Sequence, residues 1–109
     1  MKLLIVGSRS IENYDLTPHV SGEVSTIISG GATGIDELAE QFADKHRLSK
    51  MILRPQYDRY GKVAPLKRNE EMVSLADEIL VVWDGMSKGT AYTIRYAQKC
   101  GKPICVIQI

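Results

Sequence analysis

Cysteine and histidine are scarce in this sequence of 109 residues, which contains two of each. Cys100 and Cys105 are too few to cross-link a scaffold and are most simply inert filler. Neither they nor His19 and His46 have the spacing of a zinc site. We therefore expect a reduced, cytoplasmic protein that holds no metal ion.

Neither sign of charge dominates, and no apolar run is long. The 14 Lys and Arg residues against 13 Asp and Glu residues leave a formal net charge of +1, which excludes a histone-like or polybasic protein. Any anion site must then be a local arrangement of basic groups. The mostly apolar run Met1–Val6 is too short for a signal peptide or a membrane span, so we expect no membrane partner.

What is present is the balance of an ordinary globular domain. Hydrophobic residues make up 44% of the chain and charged residues 25%, and the length suits one domain over residues 1–109. Aliphatic and β-branched runs alternate with segments of helical periodicity. The runs are Leu3–Val6, Val24–Ile28, Met51–Leu53, Ile79–Trp83 and Ile104–Ile109. Because most of them are continuously apolar, we predict a three-layer α/β sandwich around a five-stranded, mostly parallel sheet.

Helix signals fill most of the segments between these strands. An apolar stripe at helical spacing begins at Ile35, and Pro65 suits the first position of another helix. The predicted helices cover about 35–46, 65–75 and 89–100. The first crossover, 8–23, has a poor apolar pattern, so we predict at most a short helix there. We expect a long loop over 55–64.

Glycine is concentrated where the predicted strands end. In parallel α/β sheets, ligands bind beside the carboxyl ends of the strands, where loops and helix N-termini present backbone amides. The candidate residues at these ends are Gly7, Ser8, Arg9, Gly30, Gly31, Thr33, Gly34, Asp84, Gly85, Ser87, Gly89 and Thr90. We expect the backbone amides of two glycine-rich turns, residues 30–34 and 87–90, to surround a phosphate. Single glycines in such turns can also be purely structural.

Positive charge is concentrated in residues 54–68. This segment carries Arg54, Arg59, Lys62, Lys67 and Arg68 against a single acid, Asp58, so its local charge is 5 − 1 = +4. Such a patch favours an anion as partner. Tyr57 and Tyr60 lie within it and could stack on a base or cover the core.

Three polar residues admit both a structural and a binding interpretation. Asn69 lies on the apolar stripe of its predicted helix, so its amide must either hold a neighbouring loop or contact a ligand. Asp36 is a first-turn acid or a ligand-binding carboxylate. Asp84 could orient a ribose hydroxyl or begin a turn with Gly85.

Several nucleotide motifs are absent. No Gly-x-x-x-x-Gly-Lys-Ser/Thr sequence occurs, so hydrolysis of ATP at a P-loop is not supported. The first strand is followed by one glycine only, unlike the dinucleotide fingerprint, so we expect no NAD or other cofactor. No Ser/His/Asp or Cys/His constellation can be assembled either.

With these residues in hand, the chain resembles the SLOG superfamily, the SMF/DprA–Lonely Guy group of Rossmann-like domains, and in particular its small stand-alone branch. The resemblance covers nearly the whole chain. Its motifs are Gly-Ser-Arg at 7–9, Gly-Gly-Ala-x-Gly-x-Asp at 30–36, Tyr-Gly at 60–61, Arg-Asn-x-x-Met at 68–72 and Ser-Lys-Gly-Thr at 87–90. The resemblance implies a Rossmann-like sheet, which we expect in the order 3-2-1-4-5, nucleotide binding, and a dimer.

Two other activities within the group remain as alternatives. Lonely Guy enzymes cleave the N-glycosidic bond of nucleoside monophosphates, and their Arg-Lys-x-x-Met helix is matched at Arg68. The position of their glutamate holds Thr93, which removes the expected carboxylate unless Asp84, Glu70 or Glu71 replaces it. DprA relatives bind single-stranded DNA, a partner that the net charge of +1 disfavours.

We therefore expect a domain that binds or senses a nucleotide or a nucleotide-derived ligand at the carboxyl edge of its sheet. In this interpretation Arg9 and Arg68 neutralise the phosphate, and Asp36, Asn69 and Asp84 orient the sugar or the base.

Overall fold

A computed structural model describes residues 1–109. Its five strands form one sheet in the order β3-β2-β1-β4-β5, and every neighbouring pair is parallel. The strands are β1 (Lys2–Gly7), β2 (Thr26–Ser29), β3 (Ser49–Ile52), β4 (Glu78–Trp83) and β5 (Ile104–Gln108). The predicted fold class and strand order are confirmed: the protein is a Rossmann-like three-layer α/β sandwich.

Four helices connect these strands. They are α1 (Ile35–Lys45), the short α2 (Tyr57–Tyr60), α3 (Ala64–Leu75) and α4 (Lys88–Lys99). The first crossover contains only a 3-10 turn, Thr17–His19, as its poor apolar pattern predicted. The expected long loop over 55–64 is wrong, because α2 and a second 3-10 turn, Gly61–Val63, occupy most of it.

Alternating side chains of the central strands supply two cores. Leu3 and Ile5 of β1 pack under α1 and the first crossover, whereas Leu4 and Val6 pack under α3 and α4. The same alternation runs along β4. Burial on both faces explains why these strands are continuously apolar in sequence.

The edge strands are less buried than their apolar sequences predict. Cys105 and Val106 of β5 are exposed, and so is Cys100 after α4, so neither cysteine is core filler. β3 begins at Ser49, two residues before the predicted run, because its exposed Ser49 and Lys50 give no apolar signal. On α1, the last residue of the predicted stripe, His46, is exposed and packs its ring against Phe42. None of the helices combines the length and the apolar character that a bilayer span requires.

Candidate functional site

The carboxyl ends of the strands surround a cavity of about 510 Å³, which we call the main cavity. It lies beside the ends of β1 and β4, where the chain's crossovers change from one face of the sheet to the other. Open α/β sheets bind ligands at such a position. Its volume is within the range of small-molecule sites, about 300–1,000 Å³. The polar and charged residues that line it are Arg9, Ser10, Asp36, Arg68, Asn69, Asp84, Ser87, Thr90 and Thr93.

A second cavity of about 420 Å³ adjoins the first, and we call it the arginine cavity. The two cavities share Arg9, Ala32 and Arg68 in their walls. The other lining residues are Gly30, Gly31, Thr33, Arg54, Pro55 and Tyr57. Of the predicted site residues, Ser8, Gly34 and Gly85 line neither cavity.

Arg68 is the central basic residue of the site. It is half-buried on α3, and its Nη1 donates to the carbonyl oxygens of Gly30 at 2.7 Å and Leu53 at 3.2 Å. Its Nε donates to Oδ1 of Asn69 at 2.9 Å. Burial lowers the pKa of the guanidinium, and the nearby Asp36 carboxylate counteracts this. Arg68 therefore joins α3 to the ends of β2 and β3 by hydrogen bonds. Its guanidinium cation is partly desolvated.

Asn69 is buried on α3, and its one side-chain hydrogen bond joins it to the neighbouring Arg68 rather than to a loop. The side chain is 9% exposed, and its carbonyl oxygen accepts the hydrogen bond from Arg68. This bond fixes the orientation of the amide. Its NH₂ group has no acceptor within the chain and borders the main cavity, so it can donate to a ligand.

Asp36 is buried in the first turn of α1, with 7% of its surface exposed. Its Oδ2 accepts the amide of Ala32 at 3.2 Å, and its Oδ1 has no donor within the chain. Burial raises the pKa of this carboxyl, and the Ala32 amide and Arg68 oppose the shift. No ion pair joins Asp36 to Arg68. Asp36 can therefore accept a hydrogen bond from a sugar hydroxyl in the main cavity.

Asp84 organises the turn between β4 and α4. Its Oδ1 accepts the amides of Met86 at 2.8 Å and Ser87 at 3.1 Å, and its Oδ2 accepts the hydroxyl of Ser10 at 3.0 Å. These hydrogen bonds, led by the Met86 amide, lower the pKa of Asp84 to about 2. Asp84 lines the main cavity, but its oxygens are engaged within the chain, which favours the turn interpretation.

Ser8 and three glycines shape the loops. The buried Ser8 accepts the amide of Asp84 on its Oγ at 2.9 Å, which joins the ends of β1 and β4. Gly34 has φ +71°, and Gly85 has φ +82° beside Gln108. A side chain at Gly7 would overlap the carbonyl oxygen of Val82. These residues build the site without forming its surface, except Gly7, which also borders the main cavity.

Only some of the expected backbone amides are free to meet an anion. The amides of Gly31, Ser87 and Thr90 donate to Ser29, Asp84 and Ser87, respectively. Those of Gly30, Thr33, Gly34 and Gly89 have no acceptor within the chain. Of these four residues, Gly30 and Thr33 line the arginine cavity, Gly89 lines the main cavity, and Gly34 lines neither.

The basic segment 54–68 divides between the cavities and the surface. Arg54 and Arg68 line cavities, as does Tyr57, which is 60% exposed. Arg59 lies 5.1 Å from the ring centre of Tyr60, and Lys67 approaches Glu70. Tyr60 lines neither cavity.

The candidate site residues did not include Arg54, Met86 or Ser10, although Arg54 belongs to the basic segment for which the sequence predicts an anionic partner. Arg54 lies two residues after β3 and Ser10 three residues after β1, so both carry the strand-end signal of the other candidates. Met86 is 82% exposed beside the main cavity and gives no sequence signal. Thr93 lies in the wall as an uncharged residue whose Oγ1 donates to the Gly89 carbonyl at 3.0 Å.

The carboxylates that could replace the glutamate of the glycosidase motif lie elsewhere. Glu70 accepts a hydrogen bond from the Tyr92 hydroxyl, which raises the pKa of that tyrosine, and it does not line the main cavity. Glu71 is exposed and does not line it either. Asp36 and Asp84 are the acids of the cavity wall.

Comparison with known proteins gives a relative from a bacteriophage. No protein family model and no solved structure matches the chain. The chain is 33% identical over 84 residues to the Gene 61 protein of Mycobacterium phage D29, an alignment that covers 72% of this chain and 67% of the phage protein. The chain therefore belongs to the same family as the Gene 61 protein of Mycobacterium phage D29.

Proposed function

We propose that this protein binds a nucleotide or a nucleotide-derived ligand at the carboxyl edge of its sheet, as a sensor or binding module. The observation that carries the proposal is the main cavity, which combines two arginines, a helix N-terminus, and fixed polar groups at the switch point of the sheet. The motif resemblance to the SLOG superfamily supports the same function, and we propose membership of its small nucleotide-binding branch.

The anionic part of the ligand has two kinds of partner. Arg9 and Arg68 each carry a guanidinium group without an ion pair in the chain. At the start of α4 the amides of Lys88 and Gly89 have no acceptor, and a Cβ at Gly89 would meet no atom within 4 Å. Helix N-termini attract anions through such amides and through the helix dipole.

The uncharged part of the ligand has two oriented groups to meet. The Asn69 amide is held by Arg68, and the Asp36 carboxylate is held by the Ala32 amide. The first leaves a donor and the second leaves an acceptor toward the cavity. A nucleoside carries hydroxyl donors and base acceptors that match this pair.

Hydrolysis of the glycosidic bond is not favoured by any contact in the site. Stabilising a developing sugar cation requires a free carboxylate. Thr93 has no charge, Glu70 is bound to Tyr92, and the oxygens of Asp84 are engaged in its turn. Asp36 keeps a free oxygen in the cavity wall, but burial raises the pKa of its carboxyl and so disfavours the charged form that a sugar cation needs. We therefore propose binding without release of the base.

The test is a thermal-shift series with nucleoside mono- and diphosphates and cyclic nucleotides. A ligand that binds only the native state adds about 2.7 kcal/mol at 100 times its Kd. For a domain of this size that should raise the Tm by on the order of 10 °C. Chromatography of each mixture should reveal no free base.

Arg68→Ala and Arg95→Ala provide the matched comparison. Removing Arg68 should weaken nucleotide binding by about 1.5–3 kcal/mol, the scale of a charge-assisted hydrogen bond. Arg95 is exposed on α4 and lines neither cavity, so its variant should bind as the parent does. A flat response to all nucleotides would overturn the proposal, and base release by the parent alone would favour the glycosidase.

A further inference from the structure

The arginine cavity differs from the main cavity in its charge. Arg9, Arg54 and Arg68 line it, and no Asp or Glu does. In the main cavity the charges of Arg9 and Arg68 are balanced by Asp36 and Asp84. The lining charges are therefore 3 − 0 = +3 in the arginine cavity and 2 − 2 = 0 in the main cavity.

None of these three arginines has a carboxylate partner in the chain. The ion pairs that the protein does form join Lys50 to Asp44 and Lys67 to Glu70. Like charges that share a small space repel one another, so an arrangement of unpaired guanidinium groups is most stable with an anion between them. The cavity therefore contains no negative charge to balance these arginines. An anionic ligand can supply that charge.

The glycine-rich turn holds two of the arginines in place. Arg68 Nη1 donates to the carbonyl of Gly30 at 2.7 Å, and Arg54 Nη1 donates to the carbonyl of Gly31 at 3.1 Å. A Cβ at either glycine would lie 2.7 Å from the Nη1 of the corresponding arginine. The glycines therefore make room for the two guanidinium groups, and the carbonyls of these two successive residues hold one group each.

Each guanidinium keeps donors for a ligand. An arginine has five N–H donors in a planar fork that matches phosphate oxygens. Arg54 uses one nitrogen on Gly31, and the side chain of Arg9 makes no hydrogen bond within the chain. Tyr57, 60% exposed, supplies an aromatic wall with a hydroxyl beside them.

We propose that the arginine cavity binds the second phosphate of the nucleotide, so that the ligand is a nucleoside diphosphate. This inference rests on the proposed function. Arg9 and Arg68 line both cavities, so the charged lining residues of the two cavities together sum to 3 − 2 = +1. The excess charge is that of Arg54, which does not line the main cavity, and a second phosphate places an anion beside it. The nucleoside lies in the main cavity, its first phosphate lies beside Arg9 and Arg68 at the start of α4, and the second phosphate enters the arginine cavity.

Titration calorimetry with matched nucleotides tests this assignment. The probes are the mono- and diphosphates of adenosine, guanosine, cytidine and uridine, together with a 5′-phosphorylated oligonucleotide. For the base that binds, the parent should prefer the diphosphate over the monophosphate by about tenfold or more.

Arg54→Ala should remove that preference. Arg54 lines the arginine cavity but not the main cavity. The variant should therefore lose about tenfold in diphosphate affinity and keep its monophosphate affinity within about twofold. Arg54→Gln, which keeps a donor for the Gly31 carbonyl, repeats the test with the turn intact. Arg95→Ala should behave as the parent.

The outcomes separate this inference from the proposed function. Equal affinity of the parent for mono- and diphosphate, or equal weakening of both by Arg54→Ala, overturns the inference and leaves nucleotide binding in place. Binding of no nucleotide overturns both. Preference for the oligonucleotide over every diphosphate overturns the inference and assigns the arginines to a nucleic acid strand.

Discussion

Gly34 is the residue at which the backbone turns from the end of β2 into α1. Its φ is +71°, and a Cβ there would lie 2.5 Å from the carbonyl oxygens of Ser8 and Arg9. The Ser8 carbonyl also accepts the amide of Ile35, so the turn and the end of β1 are held against each other. Backbone atoms cannot move aside as a flexible side chain can.

Gly34→Ala should therefore destabilise the fold by about 1–3 kcal/mol, through a strained φ and close contact with backbone. For a domain of this size, thermal unfolding should reveal a loss of roughly 5–20 °C in Tm. Gly22→Ala is the matched control, since a Cβ at Gly22 meets nothing within 4 Å and its φ is outside the left-handed region. Equal Tm values for the two variants would contradict this account.

Gly30 and Gly31 illustrate what a sequence can say about a single residue. Their position after a strand predicted a loop at the carboxyl edge, and both do line the arginine cavity. The expected reason was access of an anion to their amides, but the Gly31 amide donates to Ser29 and both carbonyls accept from arginines. Those arginines come from positions 54 and 68, and no local pattern specifies such distant contacts.

At the scale of elements, the turn from β4 to α4 combines several hydrogen bonds on one carboxylate. Asp84 accepts two backbone amides and the Ser10 hydroxyl, and Ser87 then caps α4 by accepting the Thr90 amide at 3.3 Å. Capping serines favour the helix start that the sequence pattern indicated. The charge of Asp84 therefore couples β1, β4 and α4.

The stability of this turn should depend on acid pH. The pKa of Asp84 is lowered from 3.8 to about 2, so its contribution is present above about pH 4 and is lost as the pH falls toward 2. Asp84→Asn should be less stable than the parent at neutral pH and should lose less stability across that acid range. Thermal melts as a function of pH measure both effects.

For Asp36→Asn we expect the opposite change in the pH dependence of stability. Burial raises the pKa of Asp36, so its protonation in acid favours the folded state, and removing it should steepen the acid loss of stability. Identical pH profiles for the two variants would contradict the assigned causes of these shifts.

Most elements follow from local patterns, and the exceptions have physical reasons. The predicted and observed bounds of β1, β4, α3 and α4 agree within one or two residues, because buried stripes and turn residues mark them. α2 was missed since its four residues, Tyr57–Tyr60, are too few for helical periodicity to appear. The burial of β5 was overestimated because an apolar run does not reveal whether a helix covers it.

At the scale of the whole molecule, the expected strand order came from the resemblance to Rossmann-like domains, and parallel strands with short crossovers are compatible with it. That order brings the ends of β1 and β4 together and so creates the main cavity. The arginine cavity could not be predicted in the same way. It depends on where the long side chains of Arg54, after β3, and Arg68, on α3, meet the turn after β2. Side-chain packing determines these contacts, and no local sequence pattern specifies them.

The charge of the whole molecule bears on single-stranded DNA as an alternative ligand. The net charge is +1, and only three of the 14 Lys and Arg residues line the arginine cavity. A strand that makes roughly three to five phosphate contacts should give a log–log salt slope of only about −2 to −4. We therefore expect weak binding that moderate salt abolishes, measured by fluorescence anisotropy over a salt series.

Arg54→Ala should reduce the slope by about 0.7 if a strand reaches the arginine cavity. Nanomolar affinity at about 0.15 M ionic strength would instead require a continuous basic surface, and it would favour DNA over a nucleotide as the ligand.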